Sequence, residues 1–149
     1  MPYRIFLGTL LQAAAIIIAS LVGGRFSDRT GRRKIFVATA SLVYGLALFV
    51  IAVATTFDGY LVGMAIGGLG FGLYLAVDLA LVVDVLPEPS RAKNLGVFNI
   101  AAALPFAVAP TIAPAILAAG SGSYSVLYAF AGVCAFIGAL AILPVKRVR

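Results

Sequence analysis

The sequence predicts an all-α, polytopic membrane helical bundle with about five transmembrane helices. Three observations predict it. Apolar residues make up 63% of the chain and charged ones 11%, with a mean hydropathy of +1.14; a soluble domain is roughly half apolar and a quarter charged. The uncharged residues fall into runs at 5–23, 35–57, 59–77 and 94–145, and a helix needs roughly 20 apolar residues to cross the hydrocarbon core. Continuous apolar stretches such as 13–19 also lack the alternation of a β-barrel strand.

These runs give spans at about 5–23, 35–56, 60–85, 95–118 and 125–144, a single membrane domain over residues 1–149. The first span follows Arg4, as a secretory signal would, but it is longer than a signal core and runs straight into a basic cluster. Its one polar side chain in mid-span is Gln12, able to line a cavity or to bond between helices. The turn between the last two spans is marked by Gly120-Ser121-Gly122-Ser123. With one cysteine, Cys134 in the last span, and no histidine, neither a disulfide framework nor a metal or other cofactor is expected. Nor does any base sit beside a serine nucleophile, so the chain does not read as an enzyme.

The net charge of +6 is distributed by loop, which excludes a nucleic-acid surface. Arg25, Arg29, Arg32, Arg33 and Lys34 lie between spans one and two, Arg91 and Lys93 between three and four, and Lys146, Arg147 and Arg149 after five. Only Arg4 lies on the other side. Short loops rich in Lys and Arg stay in the cytoplasm, so the expected arrangement is multi-pass in the plasma (inner) membrane, N-terminus outside and C-terminus cytoplasmic. Tyr60, Tyr124 and Tyr128 then fall near the outer face, where aromatic belts form. A chain that begins outside, four residues before its first span, is expected to lack a preceding helix.

The third span carries most of the chemistry. Gly59, Gly63 and Gly67 recur every fourth residue, as do Gly68 and Gly72, so two of its faces can approach neighbouring helices closely. The run lacks the Gly-Lys-Ser/Thr ending of a phosphate loop. Asp78 lies within the span and Asp84 near its end. A carboxylate at membrane depth costs about 2.5–3.5 kcal/mol on insertion scales, so it should face a cavity or a cation. At about 100° per residue the two acids occupy different faces. Asp84, level with the basic loop, is either a gate salt bridge to Arg29 or Arg32 or a solvated helix end. Asp78 either binds proton or solute in a cavity, or belongs to the same gate. In span four, Pro105, Pro110 and Pro114 each remove a backbone donor, so a kinked helix is expected; Asn99 shares the two readings of Gln12.

The first basic loop reads Gly24-Arg25-Phe26-Ser27-Asp28-Arg29-Thr30-Gly31-Arg32-Arg33-Lys34. Its glycines allow tight helix contact and a turn, and Asp28, an acid among cations, must pair locally or meet a helix dipole. The pattern Gly-x-x-x-Asp-Arg-x-Gly-Arg-Arg, met by Gly24, Asp28, Arg29, Gly31, Arg32 and Arg33, resembles the signature loop of the major facilitator superfamily of secondary transporters. The resemblance implies transport of a small solute by alternating access, ion- or proton-coupled. In the family this loop joins the second and third helices of each six-helix half and latches onto the other half. Asp28 would be the latch acid, and Arg29 and Arg32 cations of its network.

Arg91-Ala92-Lys93-Asn94-Leu95-Gly96, with Asn99 and the three prolines, is similar to the family's entry to its fifth or eleventh helix. Val77-Asp78 through Asp84-Val85-Leu86-Pro87, then Asn99-Ile100 through Leu104-Pro105, is similar to the sugar (glycoside or sucrose) symporter-like branch. The resemblance thus implies the C-terminal portion, helices eight to twelve. Its expected partners are the lipid bilayer, a missing N-terminal half or another helical bundle, and a small solute such as a sugar with a proton. A competing reading is a non-transporting remnant or regulatory protein that only packs against other helices.

Overall fold

In a computed structural model, residues 2–85 and 91–142 are described, with side chains for 3–78 and 93–142. The side chains of Asp84 and Arg91, and residues Lys146, Arg147 and Arg149, fall outside the described residues. Five α-helices follow in order: α1 (Pro2–Thr30), α2 (Arg33–Val53), α3 (Phe57–Val85), α4 (Arg91–Ala119) and α5 (Tyr124–Ala141). All five are long and apolar enough to cross a membrane, and the chain is a multi-pass membrane protein.

The helices form a row rather than a closed ring. α1 lies along α3, α3 along α2 and α2 along α5, while α4 leans on α5 and the margin of α3. Small residues set this order, because lipid tails are as apolar as leucine and helices adhere by close packing. On one side of α3, a Cβ at Gly68 would meet the Gln12 carbonyl oxygen at 2.7 Å, and one at Gly72 would overlap that of Ile16. On the other, Gly63 lies against Ile51 and Gly67 against Ala47, and a Cβ at Gly70 would meet the Tyr44 amide nitrogen at 2.7 Å. Gly59 sits over the α2–α3 turn against Ala54 and Thr56. The Ser20 hydroxyl reaches across to α3, shared between the carbonyls of Ile16 at 2.7 Å and Gly72 at 3.1 Å. Between α2 and α3, buried Val37 and Val77 form the core contact with Leu73 and Tyr74 around them.

The first connection is shorter than the charge pattern implies. Charges begin at Arg25, but α1 continues to Thr30 and only Gly31 and Arg32 separate it from α2. Nothing between 24 and 30 breaks a helix: Gly24 rests on Ala76 and Ser27 is 2% exposed. At 29 residues α1 is about 44 Å long, so it outruns the roughly 30 Å core. Gly31 ends it, with φ +63° and its amide donating to the Ser27 carbonyl at 2.9 Å, the left-handed cap that glycine adopts without penalty.

The α4–α5 turn is closed by the Gly122 amide on the Leu117 carbonyl at 2.7 Å and the Ser121 amide on Ala118 at 3.3 Å. Ser121 holds φ 54°, a conformation that costs a side-chain-bearing residue about 1–2 kcal/mol. Ser121→Gly is therefore expected to stabilise the protein by about 0.5–1 kcal/mol after the added freedom of the unfolded chain is subtracted. A melting temperature in detergent that stays put or falls would contradict this. α4 itself runs unbroken through Pro105, Pro110 and Pro114.

Candidate functional site

α2, α3 and α5 enclose a pocket of about 540 Å³. α2 contributes Val37, Ala40, Ser41 and Tyr44; α3 contributes Phe71, Tyr74 and Asp78; α5 contributes Ala135, Gly138 and Ala141, with Ile142 at its cap. Each set recurs at three- and four-residue intervals, one stripe per helix. The α2 and α3 stripes lie on helices held together by the glycine contacts described above. Its volume falls in the range of small-molecule sites, about 300–1,000 Å³.

Asp78 is half-buried, and its carboxylate is the one charged group in the described lining. Tyr74, one turn earlier on α3, lines the pocket beside it. Phe71 stacks near Tyr74 (centroids 6.4 Å apart, planes at 19°) and meets Tyr44 at 5.9 Å and 40°. The site is thus an acid at the end of an aromatic wall, with the hydroxyls of Ser41, Tyr44 and Tyr74 as its other side-chain polar groups. Of these lining residues, sequence reasoning singled out Asp78 alone. The signal for Phe71 and Tyr74 was their spacing of seven and four residues before it.

The signature loop lies at one end of the bundle. Asp28, in the last turn of α1, accepts an ion-paired hydrogen bond from Arg33 Nη2, in the first turn of α2, at 3.4 Å. Both charges oppose the dipole of their own helix, and the Asp28 side chain is 70% exposed, so helix stability is not what this arrangement favours. Arg29 and Arg32 are exposed beside it. Gln12 is half-buried in α1, and Asn99 is exposed on α4, a helix that α1 does not touch; the structure does not bring these two together. Pro105 and Pro110 line a second, apolar cleft of about 760 Å³ between α2, α4 and α5, which shares Tyr44 with the first. At the far end from Gly31, Arg4 sits 4.9 Å over the Phe57 ring, which stacks with Tyr60.

Three curated proteins illustrate what this chain resembles. It is 28% identical over 136 residues to Multidrug resistance protein MdtL of Klebsiella pneumoniae (strain 342), covering 91% of this chain and 34% of that protein. It is 27% identical over 90 residues to Minor myo-inositol transporter IolF of Bacillus subtilis (strain 168), 60% and 20% of the two chains. A Na(+), Li(+), K(+)/H(+) antiporter of Planococcus maritimus is 33% identical over 98 residues, 61% and 23%. The chain spans about a third of the length of the first of these. No solved structure matches it significantly. The Major Facilitator Superfamily profile matches residues 5–149, and this chain of five spanning helices belongs to that superfamily.

Proposed function

We propose that this chain forms part of a secondary transporter that moves a small solute by alternating access, with Asp78 as the group that binds solute or coupling proton. The observation that carries this reading is a half-buried carboxylate closing an aromatic-walled pocket between spanning helices. Such an acid is expensive in a membrane and is kept where an ion or solute uses it. The bundle works against a second one, supplied by an N-terminal half or a separate chain. In favour of this, none of the spanning window of α4 is buried and α1 is covered mainly by α3.

The basic end faces the cytoplasm of the inner membrane, because short basic loops are retained there; the first residues are then outside. At that end Asp28, Arg29, Arg32 and Arg33 form a latch, with Gly24 and Gly31 setting its geometry. Asp84 is proposed as its salt-bridge partner. Gln12 and Asn99 are polar contacts on the surfaces that meet the second bundle. Sugars and polyols enter as solutes through the symporter-like stretch after Val77 and the myo-inositol relative, drugs and inorganic cations through the other two.

The test is reconstitution of the chain with its second bundle in proteoliposomes, under an imposed proton gradient, against sugars, polyols, drugs and metal cations. Accumulation of one class above empty vesicles is the expected result; no movement of any class, by a protein shown to be folded, rejects transport. Asp28→Asn is expected to lower that uptake at least fivefold while moving the melting temperature by less than about 4 °C, since exposed ion pairs contribute only about 0–1 kcal/mol. A variant that melts early or transports normally would remove Asp28 from the latch.

A further inference from the structure

Resting on the transport reading for its biological use, we infer that the α2–α3–α5 pocket is a binding site for a monovalent organic cation, an alkylated or aromatic ammonium. The argument begins with charge. Among the described lining residues there is a carboxylate and no lysine or arginine, so a cationic solute has the sign that this membrane-embedded acid calls for.

The walls then select the kind of cation. Tyr44, Phe71 and Tyr74 form a continuous aromatic surface, with successive centroids 5.9 and 6.4 Å apart. An alkylated ammonium gains from aromatic faces while its methyl groups tolerate an apolar wall. A cation resembling calcium would take six to eight oxygen ligands and one resembling magnesium a near-ideal octahedron, whereas the described lining offers five side-chain oxygens, three hydroxyls and the two of one carboxylate, on an otherwise apolar wall. A polyol fares no better. The α5 wall is Ala135, Gly138, Ala141 and Ile142, without a side-chain donor or acceptor. Each solute hydroxyl left there without a partner costs about 1–3 kcal/mol.

Gly138 supplies a clean way to block the site. A Cβ built on it meets nothing within 4 Å, so a leucine there projects into open space without displacing a neighbour. Asp78→Asn removes the charge with little change of shape. These two variants attack the same pocket by unrelated means.

The experiment titrates the purified chain, held in lipid nanodiscs, with benzyltrimethylammonium and with its uncharged isostere neopentylbenzene, by calorimetry against empty nanodiscs. The ammonium is expected to bind at least tenfold more tightly than the neutral probe. Asp78→Asn should abolish that preference, and Gly138→Leu should weaken both probes at least tenfold in a protein of unchanged melting temperature. Equal binding of the two probes, an ammonium affinity indifferent to both substitutions, or tighter binding of myo-inositol in the same pocket overturns the inference. Binding and transport fail separately. Solute movement without ammonium binding sinks the pocket assignment alone, and ammonium binding without solute movement sinks the transport reading alone.

Discussion

Asp78→Asn is expected to reduce proton-driven uptake by the assembled transporter to the level of empty vesicles, with expression unchanged or improved. Asparagine keeps the shape of the side chain and its place beside Tyr74 in the lining. It cannot carry charge or exchange a proton. Removing the charge also relieves an insertion cost of about 2.5–3.5 kcal/mol, so loss of activity cannot be blamed on loss of fold. Uptake that still follows the proton gradient in this variant would exclude Asp78 as the coupling group and leave it to the gate.

Gly72→Leu is expected to give the largest loss of stability, about 2–4 kcal/mol. Two effects add. The new side chain runs into the Ile16 carbonyl oxygen and into Ala19 Cβ at 2.9 Å; backbone cannot rotate aside, and overpacking costs about 1–3 kcal/mol. As α1 is pushed away, the Ser20 hydroxyl loses the Gly72 carbonyl, and an interhelical hydrogen bond of this kind is worth about 0.6 kcal/mol. The loss should appear as an early midpoint when the monodisperse size-exclusion peak is followed against temperature. Gly96→Leu, on α4 with nothing within 4 Å, is the control and should move that midpoint little. If both variants melt alike, the α1–α3 contact is not what holds the first helix.

The five helices were legible because a membrane span is written in composition. Residues 35–57 are uncharged for longer than the bilayer is thick, and α2 occupies most of them. The end of α1 was not legible, because charge marks where the lipid stops and not where the helix stops. Arg25 and Arg29 are good helix formers, and α1 keeps turning until Gly31. Asp78 could be singled out by its cost in a membrane. Phe71 and Tyr74 carried only their spacing from Asp78, and Ser41 and Tyr44 carried no signal, because aromatic and small residues in a span are unremarkable until the facing helices are known. The three prolines left α4 continuous, since each lost donor in a spanning helix can be compensated by its surroundings.

The two-residue junction at Gly31 and Arg32 has a consequence for biogenesis. Two residues reach at most about 7 Å, so the end of α1 and the start of α2 can never be far apart, even before α3 has been synthesised. The pair should therefore partition from the insertion machinery into lipid as one helical hairpin, which in the orientation proposed above leaves the basic corner on the ribosome's side. Several added Gly and Ser residues at Gly31 would let the first helix be released on its own. Such a variant should show slowed or mixed insertion while every contact in the finished protein remains available to it.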